Sequence, residues 1–91
     1  MKECISSASS EEVGQLRYYL VDSEDAESES GVLFGVLLEQ EKTEFETVRV
    51  NGVETDRVRM IEFIRKLAEG QVTCTTLHDV CEDYAVEISE L

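Results

Sequence analysis

"VLFGVLLEQ", residues 32–40, decides the fold, because it is apolar on both of the sides that a strand would present. Successive residues of a strand point to opposite faces of its sheet. Val32, Phe34, Val36 and Leu38 therefore share one face, and Leu33, Gly35 and Leu37 share the other. A strand apolar on both faces belongs in the middle of a sheet with cover on each side. Gly35 leaves a gap at its centre, where another backbone or a large side chain can approach.

Outward from this strand the period of two continues. Before it, "QLRYYLVD" (15–22) sets Leu16, Tyr18 and Leu20 against Arg17, Tyr19 and Val21, a second strand. The connection "DSEDAESESG" (22–31) is half acidic and reads as a solvated hairpin loop that like charges keep extended. After it, "EFETVRV" (44–50) sets Phe45, Thr47 and Arg49 against Glu46, Val48 and Val50. Asn51-Gly52 has hairpin-turn chemistry, but so little chain remains before a helix signal that a turn into that helix is expected. Residues 1–14 are rich in Ser and Glu around isolated Ile5 and Val13; they bury too little to offset their ordering and are expected to be a flexible tail. Residues 15–91 then form a single domain.

The helix signal begins at Thr55, expected as the cap, with Asp56 complementing the helix dipole and Gly70 supplying a left-handed stop. Val58, Ile61, Ile64 and Ala68 form one stripe, and Met60, Phe63 and Leu67 a second beside it. An arc this broad must touch more than a sheet. The second contact is the following helix, where Leu77, Val80, Cys81, Tyr84, Ala85 and Ile88 recur at three- and four-residue steps. The expected architecture is α+β: a three-stranded antiparallel sheet followed by two helices on one face. The larger apolar set of the central strand should face the helices. Leu33 and Leu37, with Tyr19 or Tyr18 beside them, then lie on an open face, and an apolar patch of that kind is uncommon on a monomer. A second copy is the expected cover, which makes Leu33, Gly35, Leu37 and Tyr19 the interface residues of a homodimer.

The stretch "ETDRVRMIEFIRKLAEGQVTCTTLHDVCEDYAV" resembles a family of small bacterial proteins of unknown function. The resemblance rests on Thr55, Asp56 and Arg57 opening a helix, on Gly70 and Val72, and on Leu77, Asp79, Val80, Glu82 and Asp83. Such proteins often carry Ser-Pro where this chain has Thr73 and Cys74, and His where it has Thr76. The resemblance implies that Thr73 caps the second helix with Cys74 in its first turn, and it implies no activity.

With Cys74 so placed, Cys74, His78 and Cys81 fall at i, i+4 and i+7, an inviting order for a metal. Seven residues separate the two sulfurs by roughly 10 Å along a helix axis, whereas thiolates on one zinc lie about 4 Å apart. No metal site is expected, and a disulfide between them fails for the same reason. A cysteine in a first turn gains thiolate character, so Cys74 is the candidate reactive thiol, while Cys81 falls in the apolar stripe. No catalytic or cofactor motif occurs: the single His has no nucleophile motif around it, and there is no Gly-rich phosphate loop. Glu82 and Asp83 read as a solvated helix surface. Arg57, Arg59, Arg65 and Lys66 hold half of the basic residues, offset by Asp56, Glu62 and Glu69.

Twenty-one acidic residues against eight basic ones give this 91-residue chain a net charge of −13, which repels nucleic acid and anionic membrane alike. A basic or neutral protein is the fitting partner. Three cysteines at irregular spacing argue against a disulfide framework, and no apolar run has signal-peptide or membrane-spanning length; a cytoplasmic setting is expected. Together these features point to a small acidic, non-enzymatic interaction or regulatory module that self-associates. The alternatives are a thiol sensor or minor enzyme acting through Cys74, and an acidic mimic of nucleic acid that occupies a basic protein.

Overall fold

The computed structural model describes residues 2–24 and 31–89. Along the chain run β1 (Lys2–Ser10), β2 (Gly14–Glu24), β3 (Val32–Glu41), β4 (Phe45–Glu54), α1 (Arg57–Glu69) and α2 (Leu77–Ser89). The strands form one antiparallel sheet in the order β1-β2-β3-β4. The helices pack on one of its faces, over Leu16, Tyr18, Leu20, Val36 and Leu38. The fold is α+β as expected, but the sheet has four strands and not three.

The additional strand is the segment expected to be a tail. Its apolar content is small, yet β2 offers it a ladder of backbone partners, and Ile5, Ala8 and Val13 lean on the core. The turn that joins it to β2 ends on Gly14 at φ +77°, and a Cβ there would meet the Glu41 carbonyl oxygen at 2.4 Å. The acidic connection is likewise shorter than its composition suggests. Asp22 and Ser23 continue β2, which reaches Glu24 opposite Val32; residues 25–30 lie outside the described residues.

Asn51-Gly52 makes no turn into the helix. Val36 pairs with Val50 and Phe34 with Glu54, so three residues of β4, Asn51 to Val53, stand opposite Gly35 alone. Such a bulge bends an edge strand and breaks its ladder, and Gly52 takes the left-handed value φ +68° within it. Gly35 is what admits the bulge. A Cβ on Gly35 would lie 2.1 Å from the Val50 carbonyl oxygen and 2.9 Å from Asn51 Cα. The gap foreseen at Gly35 is thus filled by the chain's own β4.

Asp56, not Thr55, caps α1: its Oδ1 accepts from the backbone N–H of Val58 at 2.9 Å and of Arg59 at 3.3 Å. Gly70 is not the left-handed residue either. It sits at φ −84° and Gln71 at φ +50°, with Val72 N donating to Leu67 O and Gln71 N to Ala68 O, the paired bonds of a Schellman stop. Met60, Phe63, Ile64, Leu67 and Ala68 are buried against the sheet, whereas Val58 of the expected stripe is 63% exposed. The first turn of α1 therefore carries its apolar residue outward, and only the central part of the broad arc is used for packing. The second contact of α1 is α2, as expected, through Phe63 and Tyr84, whose rings stack with centroids 4.1 Å apart.

α2 begins at Leu77 and not at Thr73. Residues 73–76 form a separate turn in which Thr76 N and Leu77 N donate to the Thr73 carbonyl. Leu77 and Cys81 are buried and Val80 and Tyr84 half-buried; the side chains of Ala85 and Ile88 lie outside the described residues. Among the described residues, no helix is long and apolar enough to cross a membrane.

Candidate functional site

The sheet face away from the helices collects three of the four expected interface residues. Tyr19 stands directly opposite Leu37 on the neighbouring strand, and Leu33 follows on the same face of β3. All three are half-buried. Gly35, the fourth, is buried beneath the backbone of β4. Val21 is only 1% exposed although it belongs to this face and lies outside the helix-side core. The face is therefore no bare apolar sheet; long side chains are folded down on it.

Glu39 organises them. Its Oε1 accepts from the Tyr19 hydroxyl at 2.7 Å and from Arg17 Nε at 3.2 Å, while Lys2 Nζ lies 3.7 Å from Oε2. The same ammonium sits 4.5 Å above the Tyr19 ring centroid, within cation–π range. The Tyr19 hydrogen bond holds the Glu39 carboxyl below its ordinary range, against the opposing cost of burial, and Arg17 and Lys2 add to the shift. The reciprocal effect raises the Tyr19 phenol. Sequence reading missed this cluster because Lys2, Arg17 and Glu39 come from three strands, and only their register brings them together.

The charge of this face differs from that of the chain. Across the four strands it carries Lys2, Arg17 and Arg49 against Glu39 and Glu41, a small positive excess on a chain of net −13. Arg49 donates to Asn51 Oδ1 at 2.7 Å and to the Asp22 carbonyl at 3.5 Å, and among the described residues it meets no carboxylate. Phe45, beyond Thr47 on the same face of β4, is 55% exposed.

The expected thiol site is built otherwise. Cys74 lies in the turn before α2, buried, with its Sγ 3.9 Å from the Leu38 carbonyl and its N–H donating to Gln40 Oε1 at 3.1 Å. Burial, and then the negative charge of Glu46, push its thiol up, the reverse of activation. Burial pushes Cys81 up to about 11. His78 points to solvent, with Nδ1 3.5 Å from Glu82 Oε1, so the two thiols and the imidazole are not brought together. His78, Asp79 and Glu82 do place donor atoms within 4.8 Å of one another, and all three are exposed. Arg57 pairs at 2.6 Å with Glu3 of β1 and not with an acid of its own helix.

Two further features hold the helices to the sheet. Glu54, buried at 6% exposure, takes the Thr55 and Asp56 N–H groups on one oxygen and the Tyr84 hydroxyl on the other. Between the β4 bulge and α2 runs a small groove of about 140 Å³, floored by Val50, Val53 and Cys81, with His78 and Glu82 at its lip.

The sequence matches a family of unknown function, DUF6514, over residues 1–87, and the chain belongs to that family. No curated protein and no solved structure matches it.

Proposed function

We propose that the protein, a member of a family of unknown function, is a small non-catalytic interaction module that pairs with a second copy of itself through the open face of its sheet. The observation that carries the reading is the charge of that face. Two copies of net −13 repel one another over most approaches, and the repulsion is least where Lys2, Arg17 and Arg49 outweigh Glu39 and Glu41. Four strands of about ten residues present roughly 600 Å², near the roughly 800 Å² per partner of a standard interface. Phe45 and the half-buried Tyr19, Leu33 and Leu37 supply its apolar part. Glu41, 57% exposed with one oxygen 3.6 Å from Arg17, keeps its other oxygen for Arg49 of the partner subunit, and a two-fold axis makes that pair twice.

The non-catalytic part of the reading is supported by the thiols of Cys74 and Cys81, which are buried with their protons held on, and by the separation of His78 from both of them on the exposed side of α2. All three cysteines are free, which fits a reducing, cytoplasmic setting.

Sedimentation equilibrium at tens of micromolar tests the proposal. A dimer is expected, tightening as salt screens the repulsion between copies. Leu37→Glu and Arg49→Glu should each give folded monomers with unchanged helical circular dichroism. A monomeric wild-type protein, or dimers that survive both substitutions, would overturn the reading. Association with a basic protein that weakens as salt rises would favour the acidic mimic instead.

A further inference from the structure

We infer that α2 is a flap that opens from β4 as a unit while α1 and the sheet stay folded, with Tyr84 on Glu54 and Phe63 as its catch. Three observations converge on this. First, the chain is pinned up to the foot of α2 and not beyond it. The buried Tyr18 hydroxyl donates to the Val72 carbonyl at 2.6 Å. Gln40 accepts from Cys74 N–H with its side-chain oxygen, while its Nε2 donates to the Val13 carbonyl at 2.9 Å. Thr75 and Thr76, which follow, are exposed and form the hinge.

Second, α2 leans on one edge of the sheet. In the sheet it packs on β4, an edge strand, whereas α1 spans all four strands. Among the described residues, the Tyr84 hydroxyl on Glu54 Oε2 at 3.0 Å is the sole side-chain hydrogen bond from α2 to another element. Third, the seam is not filled: the groove of about 140 Å³ between α2 and the β4 bulge runs above Cys81. A segment that packs on a single edge strand across an incompletely packed seam opens at lower free energy than the core. Opening uncovers Cys81, Val53 and the face of Phe63 that Tyr84 covers.

The chain's own thiols read the motion. Cys81 lies under α2, Cys74 under the pinned connection, and Cys4 is exposed. In the Cys4→Ser background, an aromatic disulfide reagent is applied to the native protein and the labelled cysteine is identified by peptide mass. Cys81 should label at least tenfold faster than Cys74. Tyr84→Phe keeps the ring stack and removes the hydroxyl, and should raise the Cys81 rate about tenfold with Cys74 unchanged, since a hydrogen bond to a charged group contributes on that scale. Equal rates for the two thiols in the unmodified sequence, or a Cys81 rate indifferent to Tyr84→Phe, would overturn the inference. Amide hydrogen exchange on the wild-type chain gives an arm that needs no variant: residues 77–84 must exchange ahead of α1 and β3, and common rates for all three would overturn it equally.

Discussion

Removing the side chain at Gln71 should stabilise the protein, although Gln71 is an exposed polar residue with no obvious fault. It occupies φ +50° at the end of α1, where an L-residue costs roughly 1–2 kcal/mol. A glycine at this position would escape that cost but lose roughly 0.5–1 kcal/mol through a freer unfolded chain. The balance for Gln71→Gly is a gain of about 0.5–1 kcal/mol, which for a domain of this size raises the melting temperature by about 3–6 °C. Gln71→Ala keeps a Cβ and should gain nothing. Gly70 provides the opposite arm. At φ −84° its new Cβ would meet Lys66 O at 3.6 Å and Val72 Cγ2 at 3.9 Å, ordinary contacts, so Gly70→Ala should be neutral or stabilising by about 0.5 kcal/mol. Urea unfolding followed by far-ultraviolet dichroism, with equal denaturant slopes across the set, reads all three. If Gly70→Ala is destabilising by about 1 kcal/mol while Gln71→Gly gains nothing, the left-handed residue is Gly70 and the reasoning is refuted.

Gly35→Ala should be destabilising by about 3 kcal/mol or more, since its Cβ would lie 2.1 Å from the Val50 carbonyl oxygen; a variant within experimental error of wild type would remove the account of the bulge. Glu39→Gln should lose stability at neutral pH only. A carboxyl held low in the folded state contributes above its unfolded value and loses that contribution as acid protonates it, so wild type and variant should converge as the pH falls below the ordinary carboxylate range and diverge above it. Tyr18 and Tyr84 are pushed up to about 12, each chiefly by burial. Their contribution is complete below the ordinary value of 10 and is lost as pH rises from there toward 12, and phenolate absorbance should show Tyr18 and Tyr84 ionising late; a single native titration near 10 would contradict their burial. Iodoacetamide at neutral pH should take Cys4 first, and early modification of Cys74 would restore the thiol reading.

Much of the fold was legible because it rests on local periods. Leu16, Tyr18 and Leu20 do share the helix face with Val36 and Leu38, and Leu33 and Leu37 do lie opposite, since a strand leaves no other choice. What failed were mostly positions decided by a distant partner. β1 reads as a tail because its composition is weak, and it becomes a strand because β2 has an open edge. Thr55 and Asp56 are both good caps by type, and here the deciding contact is a local one: the Thr55 hydroxyl turns to the Glu54 carboxylate, leaving the Asp56 side chain for Val58 and Arg59. Cys74 moved out of the helix through a distant contact, as its N–H is taken by Gln40, thirty-four residues away. The open face was half legible. Its apolar members followed from alternation, but the ion cluster at Glu39 depends on a register that no local pattern encodes.

That cluster bears on what the open face can do. A sheet with one uncovered side invites either a partner or indiscriminate sticking, and edge and face charges are the usual guard against the second. Here Lys2, Arg17 and the Tyr19 hydroxyl converge on the Glu39 carboxylate, which leaves this centre with one net positive charge held within the face. Arg49 and the exposed Glu41 remain at some distance from one another, on β4 and at the end of β3. An arrangement with one outlying charge of each sign favours a partner in one orientation, because a slipped or rotated copy would set Arg49 against Arg49 of the partner subunit. Replacing both ends together, Glu41→Arg with Arg49→Glu, preserves the pair of the proposed dimer and should restore the association that Arg49→Glu alone is expected to abolish. Failure of that rescue, with both proteins folded, would leave the apolar residues as the whole of the interface and remove the argument for a fixed orientation.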